Sequence, residues 1–320
     1  MSKKRIIVVG NGMVGHNFID TLATSEHASE LELITFSEEP RLAYDRVQLS
    51  KYFSGSTADD LALTTEAAYQ QQGVVYTLND KVVSIDTHAK TVTTAHGQVE
   101  GYDKLVLATG SYPFVPPIPG NDQEHCLVYR TIEDLEAISA SAAVSKTGVV
   151  VGGGLLGLEA ANALKQAGLD THVVEFAPRL MAVQLDEGGG KLLRHKIEEL
   201  GVSVHTEKAT TEIVAGEECR YRMNFADGSH LETDMILFSA GIRPQDELAR
   251  QFGLDIGERG GIVINDFCQT SEEDIYAIGE CALWDGKIFG LVAPGYQMAK
   301  VVADNIVSAL ITHDVPALTF

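Results

Sequence analysis

Two stretches of the chain repeat one order of elements, which is visible in the hydrophobic pattern. In each stretch, a short β-branched run is followed by a glycine-rich turn and then by apolar residues at every fourth position. This order predicts strand, turn and helix. The apolar positions are Val14, Phe18 and Leu22 in the first stretch and Leu156, Ala160 and Leu164 in the second. That spacing is typical of a helix that packs one face on a sheet.

The turn has the form Gly-x-Gly-x-x-Gly in both copies. Its glycines are Gly10, Gly12 and Gly15 in the first copy and Gly152, Gly154 and Gly157 in the second. The first glycine makes the tight turn, the second lets the backbone approach a pyrophosphate, and the third lets helix and strand pack closely. The free N–H groups and the dipole of the helix N-terminus favour that anion.

Each copy continues into a second strand that ends near an acid, about 20 residues beyond the last glycine. The acids are Glu38 and Glu175. We expect each carboxylate to accept hydrogen bonds from adenosine ribose hydroxyls. A single copy could be an ordinary glycine-rich turn, but two complete copies predict two dinucleotide sites. The usual pair of dinucleotides is FAD and a nicotinamide nucleotide.

Each half closes on a buried strand that runs into a small-residue turn, Thr109-Gly110 in the first and Ala240-Gly241 in the second. Alternating segments at residues 82–92 and 221–225 predict a small antiparallel meander in each half. The expected fold class is α/β, with two Rossmann-like three-layer dinucleotide-binding domains that each carry such a meander. The prolines of residues 113–119 mark a domain boundary, because they cannot continue a helix or a central strand.

The composition limits the classes of partner that the chain is expected to bind. Lys and Arg number 24 against 45 Asp and Glu, a formal net charge of −21. This charge disfavours nucleic acid and anionic membrane surfaces. No apolar run approaches the ~20 residues of a membrane span, and no signal peptide is evident. The four cysteines are too scattered for a redox pair or a metal site, which favours a reducing cytoplasm and no metal in this chain.

With these motifs in place, the chain resembles the pyridine nucleotide–disulfide oxidoreductase superfamily. The resemblance implies a FAD-binding domain of residues 1–115 and 243–320, split by an inserted NAD-binding domain of residues 116–242, with the C-terminal interface domain of the superfamily absent. It adds Gly279 and Glu280 as contacts of the flavin ribityl and phosphate. The candidate FAD contacts are then Gly10, Gly12, Gly15, Glu38, Arg46, Lys51, Thr109, Gly110, Gly279 and Glu280. The candidate NAD contacts are Gly152, Gly154, Gly157, Glu159, Glu175 and Gly241.

The segment Tyr44-x-Arg46-x-x-Leu49-Ser50-Lys51 resembles the flavin-contacting segment of the ferredoxin and rubredoxin reductase branch. In that branch the lysine pairs with the glutamate that follows the second fingerprint, here Glu159. The resemblance implies that Lys51 and Glu159 lie near flavin N5 and the nicotinamide and serve catalysis. The alternatives are a solvated loop lysine and an exposed first-turn helix acid.

A closer resemblance is to the flavoprotein part of NADH-dependent nitrite reductase large subunits. It rests on the segments from Gly10 to His16, Glu38 to Arg46, Ala108 to Pro113, Tyr129 to Asp134, Gly152 to Ala161, Val174 to Pro178 and Ala277 to Cys281. In that family NADH reduces FAD, and electrons pass through iron–sulfur centres to siroheme, where nitrite becomes ammonia. No cysteine cluster for those centres is present here. We therefore expect this chain to be a fragment of a longer polypeptide; a short degenerate relative is the alternative.

Two other functions remain open on the sequence. One is a stand-alone NADH-dependent rubredoxin or ferredoxin reductase, and the other is a flavin and NAD redox-sensing protein without a catalytic role. Glu175 favours NADH over NADPH, although Arg179 could soften this preference. We expect an acceptor centre or protein downstream, and a homodimer is compatible with the sequence. His16, His172 and His195 are interpreted as surface or hydrogen-bonded histidines, and Cys281 as a small buried side chain.

Overall fold

The computed structural model describes residues 3–311 and 317–318. In chain order its strands are β1 (Lys4–Val9), β2 (Leu31–Phe36), β3 (Val75–Thr77), β4 (Val82–Asp86), β5 (Thr91–Thr94), β6 (Val99–Gly101), β7 (Lys104–Leu107), β8 (Ser111–Pro113), β9 (Cys126–Val128), β10 (Thr147–Val151), β11 (Asp170–Val174), β12 (Val202–His205), β13 (Thr210–Ala215), β14 (Tyr221–Phe225), β15 (His230–Thr233), β16 (Met235–Phe238), β17 (Ile242–Pro244), β18 (Ile262–Ile264), β19 (Ile275–Ala277) and β20 (Ala282–Trp284). Its α-helices are α1 (Met13–Ala23), α2 (Glu66–Gln72), α3 (Ile132–Ala142), α4 (Leu155–Gln166), α5 (Glu187–Glu199), α6 (Glu247–Gln251) and α7 (Val292–Ile311).

The first compact unit contains Met1–Asp45, Leu61–Tyr112 and Pro244–Phe320. Its main sheet has the strand order β19-β7-β1-β2-β3, and these strands pair in parallel. The central strand β1 is Lys-Arg-Ile-Ile-Val-Val, and its last four residues are buried, as expected for a parallel strand covered on both faces. Strands β4, β5 and β6 form the antiparallel meander.

The second compact unit contains Arg46–Asp60 and Pro113–Arg243. Its main sheet has the order β12-β11-β10-β16-β9, again with parallel pairing. Its meander is β13-β14-β15. The α/β class predicted from the sequence is confirmed, and each unit carries the meander that the alternating segments predicted.

The compact units and the predicted domains divide the chain at similar places, but they differ for residues 46–60. The predicted FAD domain includes these residues, whereas the structure groups Arg46–Asp60 with the second unit. The reason is local: the Arg46 guanidinium donates to the carbonyl of Arg130, and the ring of Phe53 stacks on that of Tyr129. Which dinucleotide each unit binds stays a prediction.

The apolar stripe of α1 is confirmed, since Phe18 and Leu22 are fully buried and Val14 packs against the core. The stripe predicted for α4 is partly wrong, because Leu156 is 40% exposed. The buried face of α4 begins one residue later, at Gly157, and continues through Ala160 and Leu164. Gly157 takes that place because the helix there lies against the backbone of its own turn.

Candidate functional site

The two glycine-rich turns have the same geometry. Gly10 and Gly152 have φ values of +108° and +117°, a region that side chains with a Cβ rarely adopt. A Cβ on Gly10 would lie 2.3 Å from the carbonyl oxygen of Ala108, and one on Gly152 would lie 2.2 Å from that of Ser239. The first glycine of each motif therefore lets the turn press against the neighbouring strand of its sheet.

The third glycine of each motif is equally constrained. A Cβ on Gly15 would lie 2.2 Å from the carbonyl oxygen of Gly10, and one on Gly157 would lie 2.0 Å from that of Gly152. Each helix consequently crosses its own turn at a distance that only glycine permits.

The second glycine differs, because no atom lies within 4 Å of a Cβ built on Gly12 or on Gly154. Both residues are N-caps, of α1 and α4, and neither helix has a side-chain cap. The first N–H groups of each helix thus face an open space that a side chain would fill. This is the donor set and the clearance that a pyrophosphate requires, so the residues fit a dinucleotide in each unit.

The acids of the two copies do not occupy equivalent positions. In the first unit Val9 pairs with Phe36, and in the second Val151 pairs with Val174. Glu175 follows its strand directly, but the equivalent position in the first unit is Ser37. Glu38 lies one residue further along, is exposed, and accepts a hydrogen bond from the Gln245 side chain at 3.0 Å. The role of Glu38 as a ribose ligand remains a prediction.

Glu175 is held by the backbone around the second fingerprint. Its Oε2 accepts from the N–H of Gly153 at 2.5 Å, and its Oε1 accepts from the N–H of Ala177 at 2.6 Å. These bonds place the carboxylate beside the glycine-rich turn, and the role of Glu175 as a ribose ligand remains a prediction.

Three glycine-containing turns lie just beyond the ends of strands. They are Thr109-Gly110 after β7, Ala240-Gly241 after β16 and Gly279-Glu280 after β19. The Thr109 hydroxyl donates to the carbonyl of Gln245 at 2.6 Å, and Gly110 has φ +68°. Glu280 accepts from the Ser111 hydroxyl at 2.6 Å, and this buried serine was not identified from the sequence. In the second unit Gly241 has φ +103°, and a Cβ there would meet no atom within 4 Å.

Lys51 and Glu159 lie in one cleft of about 110 Å³, within the second unit. The cleft is lined by Ser50, Lys51, Ser54, Glu159, Asn162, Ala163 and Gln166. Lys51 is exposed, while partial burial raises the pKa of the Glu159 carboxyl above its ordinary value. Within the described residues no ion pair of 4.0 Å or less joins the two, so the structure brings them to one cleft without the direct contact that the resemblance implied.

Tyr129 is a residue of this region that sequence reasoning missed. Its side chain is buried, and in the described structure its hydroxyl has no hydrogen-bond partner. Burial, together with the negative charge of Glu159, raises the pKa of the Tyr129 hydroxyl far above its ordinary value. A buried hydroxyl without a partner is costly, so this group stands out as a candidate for ligand contact.

The histidines have ordinary partners. His16 Nδ1 lies 2.9 Å from the Tyr69 hydroxyl, His172 Nδ1 lies 2.9 Å from His205 Nε2, and His195 is beside Glu199. Among the described residues, no group of three or more His, Cys, Asp or Glu side chains is arranged to hold a metal ion. No helix in the described ranges is long and apolar enough to cross a membrane.

Comparison with known proteins gives a consistent result. Residues 4–304 match the family model described as pyridine nucleotide-disulphide oxidoreductase. The chain is 57% identical to the NADH nitrite reductase large subunit of Escherichia coli, over 97% of this chain. The chain spans only 37% of that relative's length.

Two further similarities are to electron-transfer reductases. The chain is 30% identical to the rubredoxin-NAD(+) reductase of Alcanivorax borkumensis, covering 94% of this chain and 78% of the relative. The crystal structure of a ferredoxin reductase from Rhodopseudomonas palustris superposes with a TM-score of 0.89 at 28% identity, covering 99% of this chain and 78% of that one. The resemblance derived from the sequence motifs is confirmed by these matches.

Proposed function

Because the chain belongs to the pyridine nucleotide-disulphide oxidoreductase family, we propose that it is the NADH-oxidising flavoprotein module of a nitrite reductase. The observation that carries this proposal is the matched geometry of the two glycine-rich turns. Each turn leaves open space beside its second glycine, and each lies at the N-terminus of a helix that has no side-chain cap. The 57% identity to a nitrite reductase large subunit supports nitrite reduction as the reaction that finally uses the electrons.

In this proposal the first unit holds FAD through the turn from Gly10 to Gly15, with Thr109, Gly110, Gly279 and Glu280 as further contacts. When bound, FAD would supply the capacity to accept a hydride from a reduced nicotinamide and to release single electrons to the next centre. The turn itself supplies N–H donors and excludes side chains from the pyrophosphate position.

The second unit holds NADH through the turn from Gly152 to Gly157, with Glu175 as acceptor for the ribose hydroxyls and Gly241 as a further contact. Glu159 and Lys51 set the charge in the cleft that they line. A lysine ammonium there favours groups that become negative during reduction, and a half-buried glutamate balances that charge. The iron–sulfur and siroheme centres of nitrite reduction lie outside this chain.

Anaerobic mixing of the FAD-loaded chain with NADH, followed at the flavin absorbance band, tests the proposal. We expect rapid bleaching, and reoxidation by ferricyanide. The complete polypeptide, purified from its source, should then reduce nitrite with NADH and contain iron and siroheme. If NADH does not bleach the flavin band, or if the complete polypeptide contains no iron and siroheme, the nitrite reductase proposal is contradicted.

A second function has a specific observation in its favour. The rubredoxin-NAD(+) reductase relative is matched over 78% of its length, far more than the nitrite reductases. In that case the electron acceptor is a small iron–sulfur protein. Rapid NADH-dependent reduction of added rubredoxin, together with a native polypeptide that lacks siroheme, would favour this second function.

A further inference from the structure

The segment after Glu175, residues 176–185, folds back on the second fingerprint and is here termed the adenosine loop. The N–H of Met181 donates to the carbonyl of Gly153 at 2.9 Å, while the N–H of Gly153 donates to Glu175. Leu180 is fully buried, and a Cβ on Gly153 would lie 2.5 Å from Leu180 Cδ2. The ribose acid and the adenosine loop are thus held by the same glycine.

Arg179 closes the adenosine loop on itself. Its Nε donates to the carbonyl of Leu185 at 2.9 Å, and its Nη2 donates to the carbonyl of Ala182 at 3.2 Å. Its aliphatic stem covers Gly190 of α5, where an added Cβ would lie 2.9 Å from Arg179 Cδ. The planar fork of the guanidinium satisfies two loop carbonyls at once, a geometry that a lysine ammonium does not reproduce.

Two other cations near Glu175 also have partners. The backbone N–H of Lys208 donates to the carbonyl of Glu175, and its ammonium contacts Asp227 and Ser229. Arg194 donates to Glu198 at 2.8 Å and to the carbonyl of Val204, on the strand beside β11, at 3.0 Å. A 2′-phosphate beside Glu175 would therefore meet a carboxylate, while these three cations are engaged elsewhere.

We infer that Arg179 is a positioning residue that clamps the adenosine loop, rather than a ligand for a 2′-phosphate, and that the site consequently selects NADH. The inference rests on the proposed function, since it assumes that the second unit binds the nicotinamide nucleotide. Arg179, which the sequence alone left as a residue that could soften the preference for NADH, instead supports it by holding the loop next to Glu175.

Binding of ADP-ribose and of its 2′-phosphorylated form, measured by titration calorimetry on the full chain, tests this inference without turnover. We expect Arg179→Gln to weaken ADP-ribose binding about tenfold. Arg179→Lys should behave like Arg179→Gln, because it keeps the charge and loses the fork. In steady-state assays the same variants should raise KM for NADH and leave kcat nearly unchanged.

The variants of Glu175 distinguish the two roles of Arg179. Glu175→Ser should lower ADP-ribose affinity and bring the two ligands closer in affinity, without making the 2′-phosphorylated form the tighter one. Adding Arg179→Gln to Glu175→Ser should lower the affinity for both ligands by the same factor. A selective loss of the 2′-phosphorylated ligand in the double variant, or rescue by Arg179→Lys, would make Arg179 a phosphate ligand and overturn the inference.

The controls separate this inference from the proposed function. Lys191→Gln removes an exposed cation of α5 that pairs only with Glu187 in the described structure, and it should leave both affinities unchanged. Thermal unfolding of each variant shows whether the unit remains folded. Unmodified protein that binds neither ligand would contradict the proposed function. If the Arg179→Gln variant is folded and binds ADP-ribose as tightly as the unmodified protein does, the inference about Arg179 is contradicted and the proposed function is not.

Discussion

His16 Nδ1 lies 2.9 Å from the hydroxyl oxygen of Tyr69, inside the first unit. The same hydroxyl accepts a hydrogen bond from Asn11 Nδ2 at 2.9 Å, and Asn11 Oδ1 accepts from the N–H of Ala43 at 2.9 Å. Asn11 sits between the first two glycines of the first fingerprint. The network therefore ties that turn to the segment at Ala43, which pairs with Leu63 through a backbone hydrogen bond.

This network predicts that the protein loses stability in mild acid. Burial, opposed by nearby Asp20 and by a hydrogen bond to the backbone of Leu63, holds the pKa of His16 below its ordinary value of 6.5. The Tyr69 hydroxyl accepts from Asn11, and it can also donate to His16 Nδ1 when the imidazole is neutral. As pH falls from 6.5 toward the native pKa, the unfolded chain binds a proton that the native chain does not, and stability decreases.

Urea unfolding between about pH 5 and about pH 7.5 measures this effect. The variant His16→Gln should be less stable than the unmodified protein near neutral pH, and its stability should fall less in acid. His205, whose pKa is also lowered by burial and by His172, contributes in the same direction in both proteins and cancels in the comparison. Identical pH dependence in the two proteins would refute the assignment to His16.

Two tyrosines offer a matched test of buried hydroxyls. Tyr69→Phe leaves Asn11 and His16 without their shared partner, and we expect the free energy of unfolding to fall by about 2 kcal/mol or more. Tyr129→Phe removes a hydroxyl that has no partner in the described structure, and stability should hold or rise by about 1 kcal/mol. Thermal unfolding of both variants checks the contrast. A destabilised Tyr129→Phe protein would mean that the hydroxyl is satisfied in solution.

The glycine geometry predicts opposite effects within one motif. Gly12→Ala adds a methyl group that meets no protein atom, so the flavin-free protein should unfold at nearly the same temperature. FAD affinity should fall at least about tenfold, because the methyl group enters the pyrophosphate space. Gly15→Ala, which places a Cβ 2.2 Å from the carbonyl oxygen of Gly10, should instead destabilise the unit itself.

The second motif repeats the comparison, with Gly154→Ala expected to weaken NADH binding and Gly157→Ala expected to disturb folding. Flavin content after dialysis and nucleotide titrations provide the readouts. If Gly12→Ala retains FAD as tightly as the unmodified protein, the first turn is not the pyrophosphate site. If Gly154→Ala changes FAD affinity rather than NADH affinity, the assignment of the two units is reversed.

The cleft that contains Lys51 and Glu159 predicts a kinetic effect. Lys51→Gln removes the ammonium from the cleft and should slow flavin reduction by NADH roughly tenfold or more. Glu159→Gln should also slow it and should alter its pH dependence, since the pKa of Glu159 is raised by burial. Stopped-flow bleaching of the flavin gives both rates. The exposed Lys146→Gln serves as the control, and a Lys51→Gln rate equal to the control would return Lys51 to the role of a solvated loop residue.

Much of the candidate site was predictable because its signals are local. The contact that forces Gly15 and Gly157 to be glycine is made to a residue five positions earlier, and the positive φ of Gly10 and Gly152 is a property of one residue. Periods of two and of about four residues likewise mark strands and helices within a single segment. Both glycine-rich turns, both meanders and the α/β class were therefore predicted from the sequence, although the start of the buried face of α4 was not.

Other features depended on which segments meet in the folded chain. The partners of Arg179 are loop carbonyls, and no spacing in the sequence distinguishes that use from phosphate binding. Glu38 is displaced by one residue from the position equivalent to Glu175, which only the strand register reveals. Lys51 and Glu159 share a cleft although they are far apart in the sequence; the family resemblance implied this proximity, but no local pattern in the chain shows it.

The division follows from the physics of the chain. Backbone conformation and amphipathic periodicity are set by neighbours a few residues away, so the sequence by itself determined the two fingerprints and the elements around them. Hydrogen-bond partners, burial and the resulting pKa shifts depend on tertiary packing. The structure alone therefore decided that Arg179 holds a loop, that burial beside Tyr69 lowers the pKa of His16, and that the hydroxyl of Tyr129 is buried beside the charge of Glu159.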